Sequence, residues 1–330
     1  MIRACLTTCL AVGLVACSAP EAESNGSGAN EQADAGAPAP SLVPDLPESN
    51  REMADFSLLL RDYRNMNDRL DRVSAPLRLA NTALCQETFR DPGFRAHALE
   101  DYPEELRGVA QSLMGVEPEA MYVRSVRRGS PADNADIQPG DRILRVNGQA
   151  VPGGRTMTRF YSALSRSAFN GANTTLTLRS PQGQDYETRL QPETACDYPT
   201  RVFYSQAING HTDGREVYIT SELMRVVPDD VNLALIVAHE MAHAMAGHIE
   251  ENPTRELELE ADRMALVLMD RAGYDIEAAI SYWADAAHPH RKLQDNSESH
   301  PAITERYENF RQEQARLNDL KRAGKELKFN

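Results

Sequence analysis

The stretch that decides the fold of this chain is Ile236-Val237-Ala238-His239-Glu240-Met241-Ala242-His243. On a helix, His239 and His243 lie on one face, one turn apart, so their imidazoles can bind one zinc ion. Glu240 lies about 100° further round the helix, within reach of the water that a catalytic zinc activates. Leaving such groups unpaired inside an apolar helix is costly. The stretch therefore predicts a zinc hydrolase, with a peptidase as the leading candidate.

The acidic helix predicted after this stretch supplies the third ligand that a catalytic zinc needs. A histidine at position 249 would complete one common pattern, but the chain has Ile249 there. Glu258 and Asp262 share a helical face that becomes apolar further along. Glu256 and Glu260 lie on a polar face and are expected in solvent. Only the apolar face can meet the histidine helix, so we predict Glu258 as the third ligand and Asp262 as the residue that orients a ligand imidazole.

The composition limits the class of protein. The chain has 330 residues, of which 41% are hydrophobic and 25% are charged, and its formal net charge is −14. This length suits two or three globular domains. An acidic protein repels the phosphates of nucleic acids. We therefore expect no nucleic acid as a partner, and the predicted peptidase activity implies polypeptide partners instead.

The first 16 residues are predicted to be a secretory signal peptide. Arg3 supplies a positive start, and the apolar run after it is too short to span a bilayer. The run ends in Leu14-Val15-Ala16-Cys17, which resembles the lipobox of bacterial lipoproteins and implies a lipid anchor on Cys17. Ser18, rather than an Asp, follows this cysteine, which implies sorting to the outer membrane, facing the periplasm. The alternative is an ordinary secreted protein that is cleaved near Cys17.

Residues 17–50 are predicted to be a flexible tether, because they are polar and rich in Ala, Ser, Gly and Pro. Residues 51–107 are predicted to be an N-terminal helical segment, in which Pro76 bends or ends the first helix. An exported protein folds in an oxidising compartment, so we expect a disulfide between Cys85 and Cys196. The alternative is two separate buried thiols.

Residues 108–192 are predicted to form a separate domain. Met121-Tyr122-Val123-Arg124-Ser125-Val126 alternates like a strand, and Pro139-Gly140-Asp141 and Asn147-Gly148 are turn signals between short apolar strands. This order resembles a PDZ domain. The resemblance implies a partly open β-barrel with two helices, the second of them over residues 155–169.

The resemblance to PDZ domains also implies binding of extended peptides, often C-terminal ends, along the edge of a sheet. We expect the carboxylate-binding loop at Met114, Gly115 and Val116. The alternative is a PDZ fold that only packs against its neighbours and binds no peptide.

The catalytic part is predicted over residues 193–330. His239-Glu240-x-x-His243, followed by Glu258-x-x-Ala261-Asp262, resembles the zinc peptidases of the CAAX prenyl-protease and HtpX family. The resemblance implies a gluzincin that holds one Zn²⁺ per subunit, with the glutamate ligand already chosen by helical phase. It also implies an α+β fold, in which a mainly helical zincin-type domain carries a small β-hairpin and an edge sheet beside the PDZ domain. Without a predicted membrane-spanning helix, the chain resembles the family's soluble periplasmic lipoprotein branch.

Three further features follow from this resemblance. Val217–Thr220 is expected to form the second strand of a hairpin and to pair with an extended substrate. Ser299-His300-Pro301, with Arg306 after it, resembles the family's C-terminal motif. His300 stabilises the oxyanion, approaches the zinc to keep the enzyme latent, or is only structural, and the sequence leaves these alternatives open. Only 14 residues separate His243 from Glu258, a short connection that predicts an open cleft.

Together these predictions describe a zinc-dependent endopeptidase of the bacterial cell envelope. Glu240 is the expected general base, and the expected substrates are misfolded or unassembled proteins of the periplasm and outer membrane. Two alternatives remain at this point. The protein acts as a PDZ-based chaperone or adaptor with little proteolysis, or it is a narrow processing peptidase. All three readings allow an oligomer.

Overall fold

The structure, a computed structural model, describes residues 48–151, 173–227, 229–248, 254–284 and 301–329. Its helices are α1 (Glu48–Ala80), α2 (Arg107–Met114), α3 (Pro131–Asn134), α4 (Ser221–Val226), α5 (Asp230–Ala246), α6 (Arg255–Arg271), α7 (Ile276–Ala284) and α8 (Ile303–Arg322). Its strands are β1 (Thr88–Asp91), β2 (Phe94–Ala98), β3 (Met121–Val126), β4 (Arg142–Val146), β5 (Gln149–Ala150), β6 (Thr174–Arg179), β7 (Asp185–Leu190), β8 (Glu193–Cys196), β9 (Thr200–Phe203), β10 (Gly210–Thr212) and β11 (Val217–Thr220). This mixture confirms the predicted α+β class.

The largest sheet has the strand order β2-β3-β4-β6-β7, with β5 paired to β4 at the side. All of its pairs are antiparallel. One face buries a separate apolar cluster that includes Phe94, Val123, Ile143 and Leu178. The region of the predicted PDZ domain therefore has a hydrophobic core of its own.

The predicted turn at Asn147-Gly148 connects β4 to β5. Both residues have positive φ angles, 49° and 79°, as a tight hairpin turn requires, and Asn and Gly are the residues that tolerate them. The predicted second PDZ helix, residues 155–169, lies outside the described residues.

The large sheet begins earlier than the sequence predicts. β1 and β2 lie inside residues 51–107, which were expected to be helical, and β2 joins the sheet by pairing with β3. A bulge between Arg95 and Ala96 interrupts the alternation of this five-residue strand. The strand pattern is therefore too short to recognise, and the sheet starts at residue 94 rather than after residue 108.

Helix α1 does not end at Pro76, contrary to one of the two expected outcomes. A proline inside a helix removes one backbone hydrogen bond. Leu77 and Arg78, which follow it, are almost completely buried. Packing of this last turn therefore offsets the lost bond, and the helix continues to Ala80.

A three-stranded sheet with the order β10-β11-β9 covers the predicted catalytic part. β10 and β11 form the expected antiparallel hairpin, and β11 pairs with β9 in parallel. The prediction that Val217–Thr220 pairs with substrate is wrong, because this strand is central and both of its edges are occupied. β10 ends the sheet on the side of α5, so the strand nearest the histidine helix is an edge strand.

Helix α5 forms the centre of the catalytic part. Twelve of its seventeen residues are buried, against α6, the three-stranded sheet, α7 and α1. Gly247 ends the helix with a φ of 75°, in the left-handed region that glycine favours. The oxygen of the Thr254 side chain accepts a hydrogen bond from Leu257 N and caps α6. Since α5 is buried on nearly all sides, its polar side chains need partners.

Helix α1 contacts both parts of the molecule. The hydroxyl of Tyr63 donates to the carbonyl of Val202 in β9. Asp71, on the same helix, accepts hydrogen bonds from Arg95 of β2 at 2.8 Å and from Arg124 of β3 at 2.6 Å. The helix therefore bridges the large sheet and the catalytic sheet.

Cys85 and Cys196 form a disulfide, with 5.7 Å between their Cα atoms. The bond lies at one end of the antiparallel pair of β1 and β8, where Thr88 faces Cys196. We call β1, β8 and this disulfide the neck. It closes the base of the segment that contains strands β2 to β7.

The described helices include none with the length and apolar character needed to cross a lipid bilayer. The predicted signal peptide, the lipid-bearing Cys17 and nearly all of the tether lie outside the described residues. They stay predictions.

Candidate metal centre

Three side chains converge between α5 and α6. The Nε2 atoms of His239 and His243 lie 3.1 Å apart. The carboxylate of Glu258 lies 3.4 Å from the first of these nitrogens and 3.3 Å from the second. Glu258 is only 3% exposed, so this carboxylate is held inside the protein. The structure thus brings the three predicted zinc ligands together.

The donor set fits zinc. Zinc–nitrogen and zinc–oxygen bonds near 2.0–2.2 Å in a tetrahedron place neighbouring ligand atoms about 3.3 Å apart. The three separations of 3.1, 3.3 and 3.4 Å agree with that value. Two imidazoles and one carboxylate also leave a fourth position for water or substrate, as catalytic zinc sites do. Among the described residues, these three are the group that can hold a metal ion.

Asp262 lies behind the first histidine, as predicted. Its side chain is completely buried, and its Oδ1 atom is 3.0 Å from Nδ1 of His239. A carboxylate at this place fixes the tautomer of the ring and turns Nε2 towards the other ligands. Arg306 of α8 donates from Nε and Nη2 to the two oxygens of Asp262, at 2.8 and 2.5 Å.

The charges in the site couple to one another. Burial disfavours the ionised form of Glu258, but its contacts with His239 and His243 lower the pKa of this carboxyl well below its usual range. Burial also disfavours protonation of His239, yet its hydrogen bonds to Asp262 and Glu258 raise the pKa of this imidazole to about 10. Metal ligation uses the unprotonated ring nitrogen, so a metal ion competes with protons at this site.

Glu240 lies beside the ligand group, between α5 and β10. Burial raises the pKa of its carboxyl, and the charge of His239 acts in the opposite direction. A Cβ atom added to Gly210 would lie 3.2 Å from Oε1 of Glu240. The strand can approach this closely because residue 210 has no side chain. Such a carboxyl, near a metal site without being a ligand, can act as a general base.

Two features of the site were not predicted from the sequence. The close approach of Gly210 to Glu240 has no sequence signal beyond the Asn209-Gly210 turn. Arg306 was expected only as part of a C-terminal motif, but in the structure its guanidinium reaches the buried Asp262. A signal existed, because Arg306 lies four residues before the buried Phe310 and so shares its helical face.

The remaining predicted site residues lie elsewhere. Met114 ends α2, Gly115 follows with a φ of 66°, and Val116 is completely buried in a cluster with Leu60 and Val109. Val116 therefore cannot line an exposed groove, and a peptide contact at Met114 and Gly115 stays a prediction. His300 lies outside the described residues, so its three possible roles also stay predictions.

His239-Glu240-x-x-His243 lies on one helix and Glu258 on the next. This arrangement is typical of zincin-type metallopeptidases. Residues 195–254 and 249–314 match Peptidase family M48, and residues 122–179 match the PDZ domain family. The chain therefore contains an M48 peptidase domain and a PDZ domain. At the level of these domains, the matches confirm the predicted recognition and support the predicted enzyme class, a metalloendopeptidase.

The similar proteins agree with this assignment. A curated relative, the mitochondrial metalloendopeptidase OMA1 of Saccharomyces cerevisiae (strain ATCC 204508 / S288c), is 24% identical over 149 residues, which are 32% of this chain and 43% of the relative. The chain thus matches less than half the length of that relative.

Solved structures of PDZ domains also resemble this chain. The HtrA3 PDZ domain bound to a phage-derived ligand (FGRWV) is 23% identical, with a TM-score of 0.25, over 33% of this chain and 89% of that one. The PDZ domain of the carboxy-terminal protease from Vibrio cholerae, in complex with peptide, is 16% identical, with a TM-score of 0.23, over 33% and 97%. The PDZ domain is assigned from the family match over residues 122–179 alone.

Proposed function

We propose that this protein is a zinc-dependent endopeptidase of the bacterial cell envelope. Its proposed substrates are misfolded or unassembled proteins of the periplasm and outer membrane. The observation that carries the proposal is the convergence of His239, His243 and Glu258, with the carboxyl of Glu240 beside them and an edge strand alongside.

The side chains of the site divide the chemistry between them. His239, His243 and Glu258 would hold the zinc, which supplies a Lewis acid that polarises the scissile carbonyl and acidifies water. Glu240 accepts the proton of the attacking water as the new C–O bond forms. It then donates this proton to the leaving nitrogen as the C–N bond breaks. Its burial favours the protonated form, which suits the second step.

Strand β10 is the proposed docking strand for the substrate backbone. It ends the catalytic sheet, and its Gly210 lies against Glu240. An extended polypeptide that adds to this edge would pass the general base with its peptide groups hydrogen-bonded to the strand. Only an unfolded or extended segment can bind in this way. The arrangement therefore supports misfolded chains as substrates.

The PDZ domain is proposed to capture peptide segments or C-terminal ends of substrates. PDZ domains bind extended peptides by strand addition, with specificity from pockets for alternate side chains. The bridge made by α1 keeps this domain close to the catalytic sheet. A captured chain would thus be presented near the metal centre.

The proposed location is the periplasmic face of the outer membrane, with a lipid on Cys17. The lipobox-like sequence supports the anchor. The disulfide between Cys85 and Cys196 supports an oxidising compartment, because such bonds are rare in the cytosol. Radiolabelled palmitate should label the wild-type protein and should not label Cys17→Ala.

Substitution of the general base tests the activity. Glu240→Gln should bind zinc normally and should lower cleavage of an unfolded polypeptide by about a hundredfold to ten-thousandfold, because general-base catalysis of this kind contributes on the order of 10²–10⁴ in rate. Metal content and cleavage rate are measured on the same preparation. Glu256→Gln makes the same chemical change on the exposed face of α6 and should leave the rate unchanged.

Retention of normal cleavage by Glu240→Gln would exclude this mechanism. Growth rescue separates the alternative of a PDZ-based adaptor. If Glu240→Gln restores growth of a deletion strain as well as the wild type does, while removal of the PDZ domain does not, capture rather than cleavage is the function.

A further inference from the structure

We propose that Arg306 is a positioning residue of the metal centre, which makes helix α8 a working part of the site. This inference rests on the proposed zinc site. Arg306 holds the carboxylate of Asp262 in one orientation, and Asp262 in turn orients His239. The geometry of a ligand on α5 is therefore set partly by a side chain on a helix that supplies no ligand.

The contacts form one continuous chain. Nε of Arg306 donates to Oδ2 of Asp262 at 2.8 Å, and Nη2 donates to Oδ1 at 2.5 Å. Oδ1 also lies 3.0 Å from Nδ1 of His239. One carboxylate oxygen thus lies between the guanidinium and the ligand ring. The other oxygen fixes the rotation of the carboxylate about its own axis.

Because Asp262 is buried, its carboxylate needs a cation beside it. Asp262 is completely buried and Arg306 is 8% exposed. A carboxylate in this environment without a cation would be strongly disfavoured, and it would not stay oriented towards the imidazole. A guanidinium satisfies both oxygens through two parallel bonds, whereas an ammonium offers a single point of charge. Arginine is therefore the side chain that this position requires.

Other side chains, apart from Arg306, also join α8 to α6. The side chain of Asn309 donates to the carbonyl of Leu259 at 2.8 Å and accepts from Arg263 at 2.9 Å. Phe310 fills the core below it. These bonds join α6 and α8 without touching a ligand. They supply a matched control, because Arg263 is an arginine at the same helix pair.

The test measures zinc affinity rather than activity. Zinc dissociation constants of full-length wild type, Arg306→Met, Arg306→Lys and Arg263→Met are determined by competition with a chromophoric chelator. Removing a residue that orients a ligand typically weakens metal binding 10- to 100-fold. We expect a loss in this range for Arg306→Met, a smaller loss for Arg306→Lys, and no change for Arg263→Met.

Cobalt(II) gives a second reading that a purely structural role would not move. The visible spectrum of bound cobalt reports ligand geometry, so the bands of Arg306→Met should shift or weaken, and those of Arg263→Met should match the wild type. A zinc affinity and cobalt spectrum of Arg306→Met equal to the wild type would overturn the proposal. Equal losses in Arg306→Met and Arg263→Met would also overturn it, because they would indicate general loosening of α8.

Arg306→Lys decides the question if Arg306→Met does not fold, since it keeps the buried charge. Wild-type affinity in Arg306→Lys would then contradict the need for two donors. The result is also separable from the proposed function. If zinc affinity depends on Arg306 but no polypeptide is cleaved, the peptidase proposal fails and this inference stands. If cleavage is observed and Arg306→Met binds zinc normally, only this inference fails.

Discussion

At the scale of single residues, burial lowers the pKa of a histidine that lies outside the metal site. His97 of β2 is 7% exposed, and its Nδ1 lies 2.7 Å from the hydroxyl of Tyr102. Burial, and then the positive charges of Arg124 and Arg64, lower the pKa of this imidazole to about 3. The folded protein therefore keeps His97 neutral at pH values where an unfolded chain protonates it.

The sign of the pH effect follows from this difference. Between pH about 6.5 and about 3 the unfolded chain binds a proton at His97 and the folded chain does not, so stability falls as the pH falls through this window. Between pH 7 and pH 5 this histidine should lower the free energy of unfolding by about 2 kcal/mol. Urea unfolding of wild type and His97→Gln at both pH values measures the effect. An identical loss in the two proteins would contradict it.

The metal ligands could be predicted from the sequence because the helical period alone places them. His239 and His243 are one turn apart, and the apolar continuation of one face of α6 selects Glu258. The role of Arg306 could not be predicted in the same way. It lies 44 residues from Asp262 and contacts it only because α8 packs on α6. Local periodicity says which face of a helix is buried, but not which helix it meets.

At the scale of elements, the fit of β10 against α5 controls the general base. A Cβ on residue 210 would lie 3.2 Å from Oε1 of Glu240 and 3.3 Å from Cδ1 of Ile219. Both neighbours would have to move by a few tenths of an ångström. The strand and the helix would then separate, or the carboxyl would turn away from the substrate.

Gly210→Ala should therefore lower kcat by about tenfold while zinc binding is retained, since small misplacements of a catalytic group cost this much or more. Steady-state cleavage of an unfolded polypeptide, with metal content measured in parallel, checks this. Gly108→Ala is the control, because a Cβ there meets nothing within 4 Å. An unchanged kcat in Gly210→Ala would show that the strand has room to shift.

Helices with a sustained apolar pattern and strands joined by a local turn were predicted well, whereas an interrupted strand and a pairing between distant strands were not. α5, α6 and the β10–β11 hairpin have clear helix, cap or turn signals. β2 was missed because a bulge interrupts five residues. The central position of β11 was also missed, because it depends on the parallel pair with β9, which no local turn specifies. Strand order in a sheet is a long-range property, and alternation within one strand does not encode it.

At the scale of the whole molecule, α1 determines how the two parts act together. Asp71 holds Arg95 and Arg124 on two strands of the large sheet. Two residues before Asp71, Arg69 donates to the carbonyl oxygens of Met224 and Val227, at the end of α4 and just before α5. Helix α1 is thus hydrogen-bonded both to the large sheet and to the segment just before α5.

Asp71→Asn should weaken this bridge. It removes one charge that faces two arginines, so we expect a loss of about 2–3 kcal/mol in the free energy of unfolding, as for hydrogen bonds to charged groups. We expect calorimetry to show a single transition for the wild type and two transitions for Asp71→Asn, because the variant weakens the contact of α1 with the large sheet. Asp55→Asn, at an exposed position of the same helix, should keep the wild-type profile. A single unchanged transition in Asp71→Asn would place the coupling elsewhere.

The neck places the PDZ region inside a covalent ring. Cys85 and Cys196, which are 111 positions apart in the sequence, close a covalent ring, and strands β2 to β7 all lie on that ring. A ring that is cut once opens but stays attached at both ends. Cleavage of one peptide bond in a loop of the PDZ region, by this enzyme or by another protease, therefore leaves the PDZ region covalently attached to the catalytic part. Release takes two events, a cut and a reduction.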